Sequence, residues 1–132
     1  PTPNASLVKG QVICHNEADF PGHADINGRA QDECSTDFSG KLGSDGITMS
    51  PTSGPIVWNT QDKHGINYWF SASWVDGCIT TLPTQDFQLP LGNGGIIPAY
   101  LMVREDYTKC NNGGVGGSCQ VGCMLYEFTG GK

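Results

Sequence analysis

INYWFSASWV, residues 66–75, is the most regular stretch of the chain. Ile66, Tyr68, Phe70, Ala72 and Trp74 fall on one side of an extended backbone, and Asn67, Trp69, Ser71, Ser73 and Val75 on the other. A period of two predicts a strand, and the more apolar side predicts the core. LVKGQVIC (7–14) alternates similarly and predicts a strand ending on a cysteine. PIVWNT (55–60) reads as a short strand with Pro55 at its first position, where a missing N–H is tolerated. QDKHG then supplies a hairpin connection. SCQVGCMLYEF (118–128) predicts a last strand, with Cys119, Val121, Cys123 and Leu125 on one face.

Two stretches change period. From Asp25, the residues Ile26, Ala30, Cys34 and Phe38 recur four apart and predict an amphipathic helix with a narrow apolar stripe. Gly28 weakens that helix by about 1 kcal/mol relative to Ala. After Pro98, which a first helical turn accepts, Tyr100, Val103, Tyr107 and Cys110 keep helical spacing until NNGG stops them. SGKLGSDGITMSPTSG (39–54) reads as a loop, and GCITTLPTQDFQLPLGNGG (77–95) as irregular chain. The order strand, helix, strand, strand, helix, strand predicts one α+β domain over residues 1–132. Its expected form is a ferredoxin-like βαββαβ sandwich, a four-stranded antiparallel sheet with both helices on one face. An all-β arrangement with loops in place of the helices is the competing reading.

Composition narrows the function classes. The chain has 132 residues, room for one core, with 13 acids against seven bases and a net charge of -6. Such a surface repels phosphate backbones and anionic lipid, and Lys9, Arg29, Lys41, Lys63, Arg104, Lys109 and Lys132 form no visible patch. Nucleic acid is therefore not an expected partner. No apolar run reaches the roughly 18 residues of a membrane span. Six cysteines (Cys14, Cys34, Cys78, Cys110, Cys119, Cys123) predict a disulfide framework and an oxidising, extracellular compartment. None forms the Cys-x2-Cys pair of a structural zinc site, and about 15 connectivities are open to six cysteines. If 119–123 is extended, its two cysteines lie roughly 13 Å apart, beyond disulfide reach. The sequon at Asn4 and the opening PTPNAS, which reads like a processed N-terminus, fit secretion.

Candidate chemistry concentrates in ICHNEADFPGHADI (13–26). His15, Glu17, Asp19, His23 and Asp25 are metal-ligand types, but no His-Glu-x-x-His or similar spacing is present, so no metal or cofactor is expected. The structural alternative is a turn followed by a helix cap, with Asp25 the better capping residue. No Gly-x-Ser-x-Gly elbow exists, and GGVGG lacks the Gly-Lys-Ser/Thr ending of a phosphate loop. Acid–base hydrolysis needs only a His and a carboxylate brought together by the fold. If the protein is an enzyme, His15, Glu17 and His23 are its candidates, with His64, Glu105 and Glu127 as further titratable residues. Trp58 and Trp69 are candidate binding residues, suited to sugar stacking or a protein hot spot if they face solvent.

DFPGHADI and YTKCNNGGVGGSCQVGCMLYEF resemble segments of small secreted cysteine-rich proteins of filamentous fungi. The strand–helix order with cysteines on both helices is similar to the killer-toxin-like and effector-like group. That resemblance implies an α/β sandwich held by disulfides and an extracellular protein, alone or oligomeric, that acts by binding a protein or glycan. It carries over no catalytic residue. The expectation is a secreted binding protein, with a small hydrolase or a carbohydrate-binding module as alternatives.

Overall fold

The computed structural model describes residues 2–43, 47–92 and 98–131. In chain order its elements are β1 (Ile13–Cys14), a 3-10 turn (Glu17–Asp19), α1 (Gly28–Gly43), β2 (Thr48–Met49), β3 (Ile56–Gln61), β4 (Asn67–Trp74), β5 (Gln85–Asp86), α2 (Ala99–Thr108), β6 (Gly117–Val121) and β7 (Met124–Gly130). The architecture is α+β. Five antiparallel strands lie in the order β1-β6-β7-β4-β3, beside a two-stranded sheet of β2 and β5.

The expected four-stranded ferredoxin-like sandwich is therefore corrected. Residues 118–128 are not one strand but a hairpin that reverses at Gly122-Cys123, pairing Val121 with Met124. Gly122 takes φ +61°, and a Cβ there would meet Gln85 Oε1 at 2.7 Å, so the turn requires glycine. The reversal also changes which residues share a face: Cys119 and Val121 lie with Met124, Tyr126 and Phe128, and Leu125 turns away. Cys119 and Cys123 are not bonded to each other, as expected; Cys123 is bridged to Cys78, and the chain between the two reverses where an extended run is expected.

Other boundaries move for local reasons. The first strand shrinks to Ile13–Cys14, preceded by one isolated bridge from Lys9 to Val121. α1 starts at Gly28 because Asn27, not Asp25, supplies the cap: its Oδ1 accepts from Ala30 N at 3.0 Å. The helix continues to Gly43, through residues expected to be loop, with Ser39 buried as well as Phe38. Thr48–Met49 and Gln85–Asp86, both expected to be irregular, pair as β2 and β5. Residues 44–46 and 93–95 of those two stretches lie outside the described residues. α2 stops at Thr108, two residues before Cys110.

Both helices pack on one face of the large sheet, as expected, and the core lies between. β4 contributes Tyr68, Phe70, Ala72 and Trp74, β7 contributes Met124, Tyr126 and Phe128, and all are buried. Phe38 of α1 reaches Phe70 at 5.4 Å and Phe87 edge-on at 5.1 Å, while Phe70 contacts Phe128 at 5.1 Å. Aromatic pairs at these separations add attraction beyond area burial. The helix–helix contact is polar. Gln31, fully buried, donates to Val103 O at 3.0 Å and accepts from Arg104 Nη1 at 2.8 Å.

Two disulfides tie early chain to late chain: Cys14–Cys110 and Cys78–Cys123, with Cα separations of 5.5 and 5.6 Å. Cys34 and Cys119 are free thiols, which corrects the expectation that all six cysteines are bridged. Cys34 is half-buried on α1 and Cys119 sits on β6 with its thiol donating to Gly10 O at 3.3 Å. Burial pushes both thiols above the ordinary cysteine value, so neither is primed as a nucleophile.

Candidate binding face

An antiparallel sheet with helices on one side presents the alternate residues of every strand on the other. Register defines two adjacent rows across that outer face. One runs Asn59–Trp69–Thr129, and the next Val57–Ser71–Glu127–Ser118–Ile13. Trp69 is 37% exposed and Val57 59%. Together with Ser71, Glu127 and Thr129 they line a shallow depression in the sheet. Gln61 and Asn67 extend it at one end, joined by a 2.8 Å hydrogen bond from Gln61 Nε2 to Asn67 Oδ1. Across the five strands Glu127 is the sole charged residue, and there is no lysine or arginine.

The other candidate tryptophan lies elsewhere. Trp58 is on the inner face of edge strand β3, stacked over Phe38 at 6.3 Å and tilted against Phe70 at 5.7 Å. It packs partly buried against the core, on the opposite side of the sheet from Trp69, so the two candidate tryptophans do not share one surface. Trp69, one register position from Trp58's partner Phe70, is the tryptophan that faces out.

Of the three catalytic candidates, Glu17 and His23 meet at 2.8 Å, while His15 pairs elsewhere. His15 follows β1 and reaches over the outer face, where its Nε2 lies 3.2 Å from Glu127 Oε2 and 3.2 Å from Thr129 Oγ1. In a nucleophilic triad the acid and the hydroxyl occupy opposite ring nitrogens. Here both share Nε2, so Glu127 cannot orient the ring while Nε2 takes the Thr129 proton. The arrangement places His15 at the rim of the Trp69 depression, with Glu127 and Thr129 on the same ring nitrogen.

His23 pairs with Glu17 instead, Nε2 to Oε2 at 2.8 Å, and its Nδ1 lies 3.2 Å from Ala24 O. Acceptors at both nitrogens suit an imidazolium; the Glu17 hydrogen bond and then the Ala24 carbonyl raise its pKa. This pair closes the loop between β1 and α1. Gly113 packs on it with φ +72°, and a Cβ there would meet Glu17 Oε2 at 2.5 Å and His23 Cε1 at 2.8 Å. The Gly-rich segment after α2 thus provides close approach to an ion pair. Asp19 and Asp25 join neither pair, and among the described residues no three His, Cys, Asp or Glu side chains gather as a metal site.

Other polar residues serve the frame. Asn4, the sequon residue, clamps the N-terminal segment to the 77–79 loop: its Nδ2 donates to Gly77 O at 3.0 Å and its Oδ1 accepts from Ile79 N at 2.8 Å. Buried Gln85 donates to Pro90 O and Val121 O and accepts from Cys123 N, holding the β6–β7 turn against β5. Of the face residues, Val57, Ser71 and Thr129 carry no distinctive signal in sequence. Alternation within correctly bounded strands is the only pattern that finds them.

No family model, curated protein or solved structure matches this chain.

Proposed function

We propose that this chain is a secreted protein of the killer-toxin-like or effector-like kind that acts by binding an extracellular or cell-surface partner, and that it docks through the outer face of its sheet. The observation that carries the reading is Trp69, solvent-exposed in a depression bordered by Val57, Ser71, Glu127 and Thr129. Tryptophan at the centre of a surface patch is the residue most enriched where binding energy concentrates. Two disulfides accord with an oxidising compartment. Among the described residues no helix is long and apolar enough to cross a membrane. The test is retention of labelled protein on intact cell surfaces by wild type and Trp69→Ala; equal retention of the two would reject the outer face as the docking surface.

A second reading, a small hydrolase, draws on the His15–Glu127 approach of 3.2 Å at the same depression. It is the weaker one. A glycosidase needs a second carboxylate across the bond, and a ribonuclease needs a cation for the phosphate, whereas Glu127 is the one charged strand residue. Turnover of a polysaccharide or RNA that disappears in Glu127→Gln would promote it over binding.

A further inference from the structure

Resting on the outer-face reading, we infer that the partner recognised there is a neutral glycan chain, laid across the strands with one sugar ring on the Trp69 indole. The argument is one of chemical complement. A pyranose offers a flat patch of C–H bonds on one side and a rim of hydroxyls that both donate and accept. The face offers one exposed indole, with Val57 beside it as further apolar surface, set among polar side chains with the same dual capacity. Asn59 and Thr129 flank Trp69 in its own row, Ser71 and Ser118 lie in the next, and Gln61 lies beyond.

Charge separates this occupant from the others. The five strands hold no lysine or arginine, so a phosphorylated, sulfated or uronic-acid chain would meet no counter-charge. They hold a single carboxylate, Glu127, and that one is shared with His15 at 3.2 Å, so a polycationic partner finds little to pair with. A protein partner would be expected to meet a larger aromatic or arginine-bearing centre. What remains matched is a ligand that is uncharged, rich in hydroxyls and apolar on one flat side.

The experiment uses the intact, disulfide-bonded protein and a panel of insoluble polysaccharides: chitin, cellulose, β-1,3-glucan and mannan, with polygalacturonate as the anionic contrast. Depletion from solution is measured for wild type, Trp69→Ala and Trp69→Phe, each checked for an unchanged thermal transition. At least one neutral polymer is expected to retain the wild type and polygalacturonate to retain none. Trp69→Ala should bind about tenfold or more weakly, with Trp69→Phe restoring most of the loss. Retention on no neutral polymer overturns the inference, as does preference for the anionic one.

A parallel arm compares intact cell walls with periodate-oxidised and protease-treated walls. Loss of binding on oxidation, and not on proteolysis, supports the glycan. If proteolysis alone abolishes binding that still requires Trp69, the partner is a protein: the glycan inference falls and the outer-face reading stands. If Trp69→Ala binds walls as wild type does, the outer-face reading itself falls. A dimer in sedimentation that Trp69→Ala dissociates would assign the face to a second copy and overturn the glycan.

Discussion

The Tyr68 hydroxyl donates to Asp62 Oδ2 at 2.9 Å and accepts from Asn27 N at 3.0 Å, joining the β3–β4 hairpin to the start of α1. Tyr68 is fully buried, and burial, with Asp62 adding to it, pushes its hydroxyl up to about 12, so it stays neutral and able to donate. Tyr68→Phe should keep the ring packing and lose both hydrogen bonds, lowering stability by about 1–2 kcal/mol. Urea denaturation checks this. An unchanged midpoint would mean that water replaces the hydroxyl at no cost.

Asp106 on α2 is fully buried, and neither carboxyl oxygen has a hydrogen-bond partner. Desolvation first, then Glu127 and Glu105, raise its pKa from 3.8 to about 9, against the opposing pull of Lys9. Lys9 is itself engaged with Glu105 at 2.6 Å. The folded state therefore holds a proton that the unfolded chain has released. Between about pH 4 and 9 this group's contribution falls as pH rises, with a limiting slope of about 1.4 kcal/mol per pH unit. Asp106→Asn should flatten that fall, being no less stable than wild type at pH 8 and gaining nothing at pH 4. Denaturation midpoints across this range decide the matter; parallel curves for the two proteins would sink it.

His23 makes a second acid-favouring contribution. Its raised pKa means that the Glu17 pairing stabilises the fold fully below the unfolded value of 6.5 and loses that effect as pH rises through the folded value. Glu17→Gln should thus cost most near pH 5 and least above pH 8. Histidine titration followed by NMR is the direct readout, with the His23 midpoint moving down in the variant. Gly113→Ala should perturb the same resonance, because its methyl would intrude on this ion pair.

The bridge between Cys14 and Cys110 closes a sequence separation of 96, against 45 for Cys78 and Cys123. Chain-entropy reasoning gives the longer loop the larger effect, and removing either bridge should cost about 2–5 kcal/mol. Paired Cys→Ser variants and thermal melts test the ranking. Thiol titration of the unreduced, unfolded protein should count the two free thiols at Cys34 and Cys119. A count of zero would overturn the pairing described above.

Much of the fold was legible where burial follows period. Residues 67–74 of the alternating 66–75 run form β4 with the expected inner face, and two helices cover one side of the sheet. What escaped did so for physical reasons. A two-residue reversal at Gly122 hides inside an alternating run, because residues on both sides of a tight hairpin keep the same period. The α1–α2 contact uses buried Gln31, bonded to Val103 O and Arg104, which a search for apolar stripes passes over. His15, Glu17 and His23 were readable as titratable residues, but the partners Glu127 and Thr129 lie more than a hundred positions from His15 and meet it only through strand register.

The centre of the large sheet is β7, the last strand in chain order, inserted between β6 and β4. A nascent chain emerging from its amino end therefore has no finished sheet to offer until residues 124–130 are free, and Cys78 has no partner until Cys123 arrives. Closure of the sheet must await this strand and relies on distant pairings, which is the slow regime for domains of this size. A fragment ending at Gly122 should accordingly show no cooperative melting, however much of the sequence it retains.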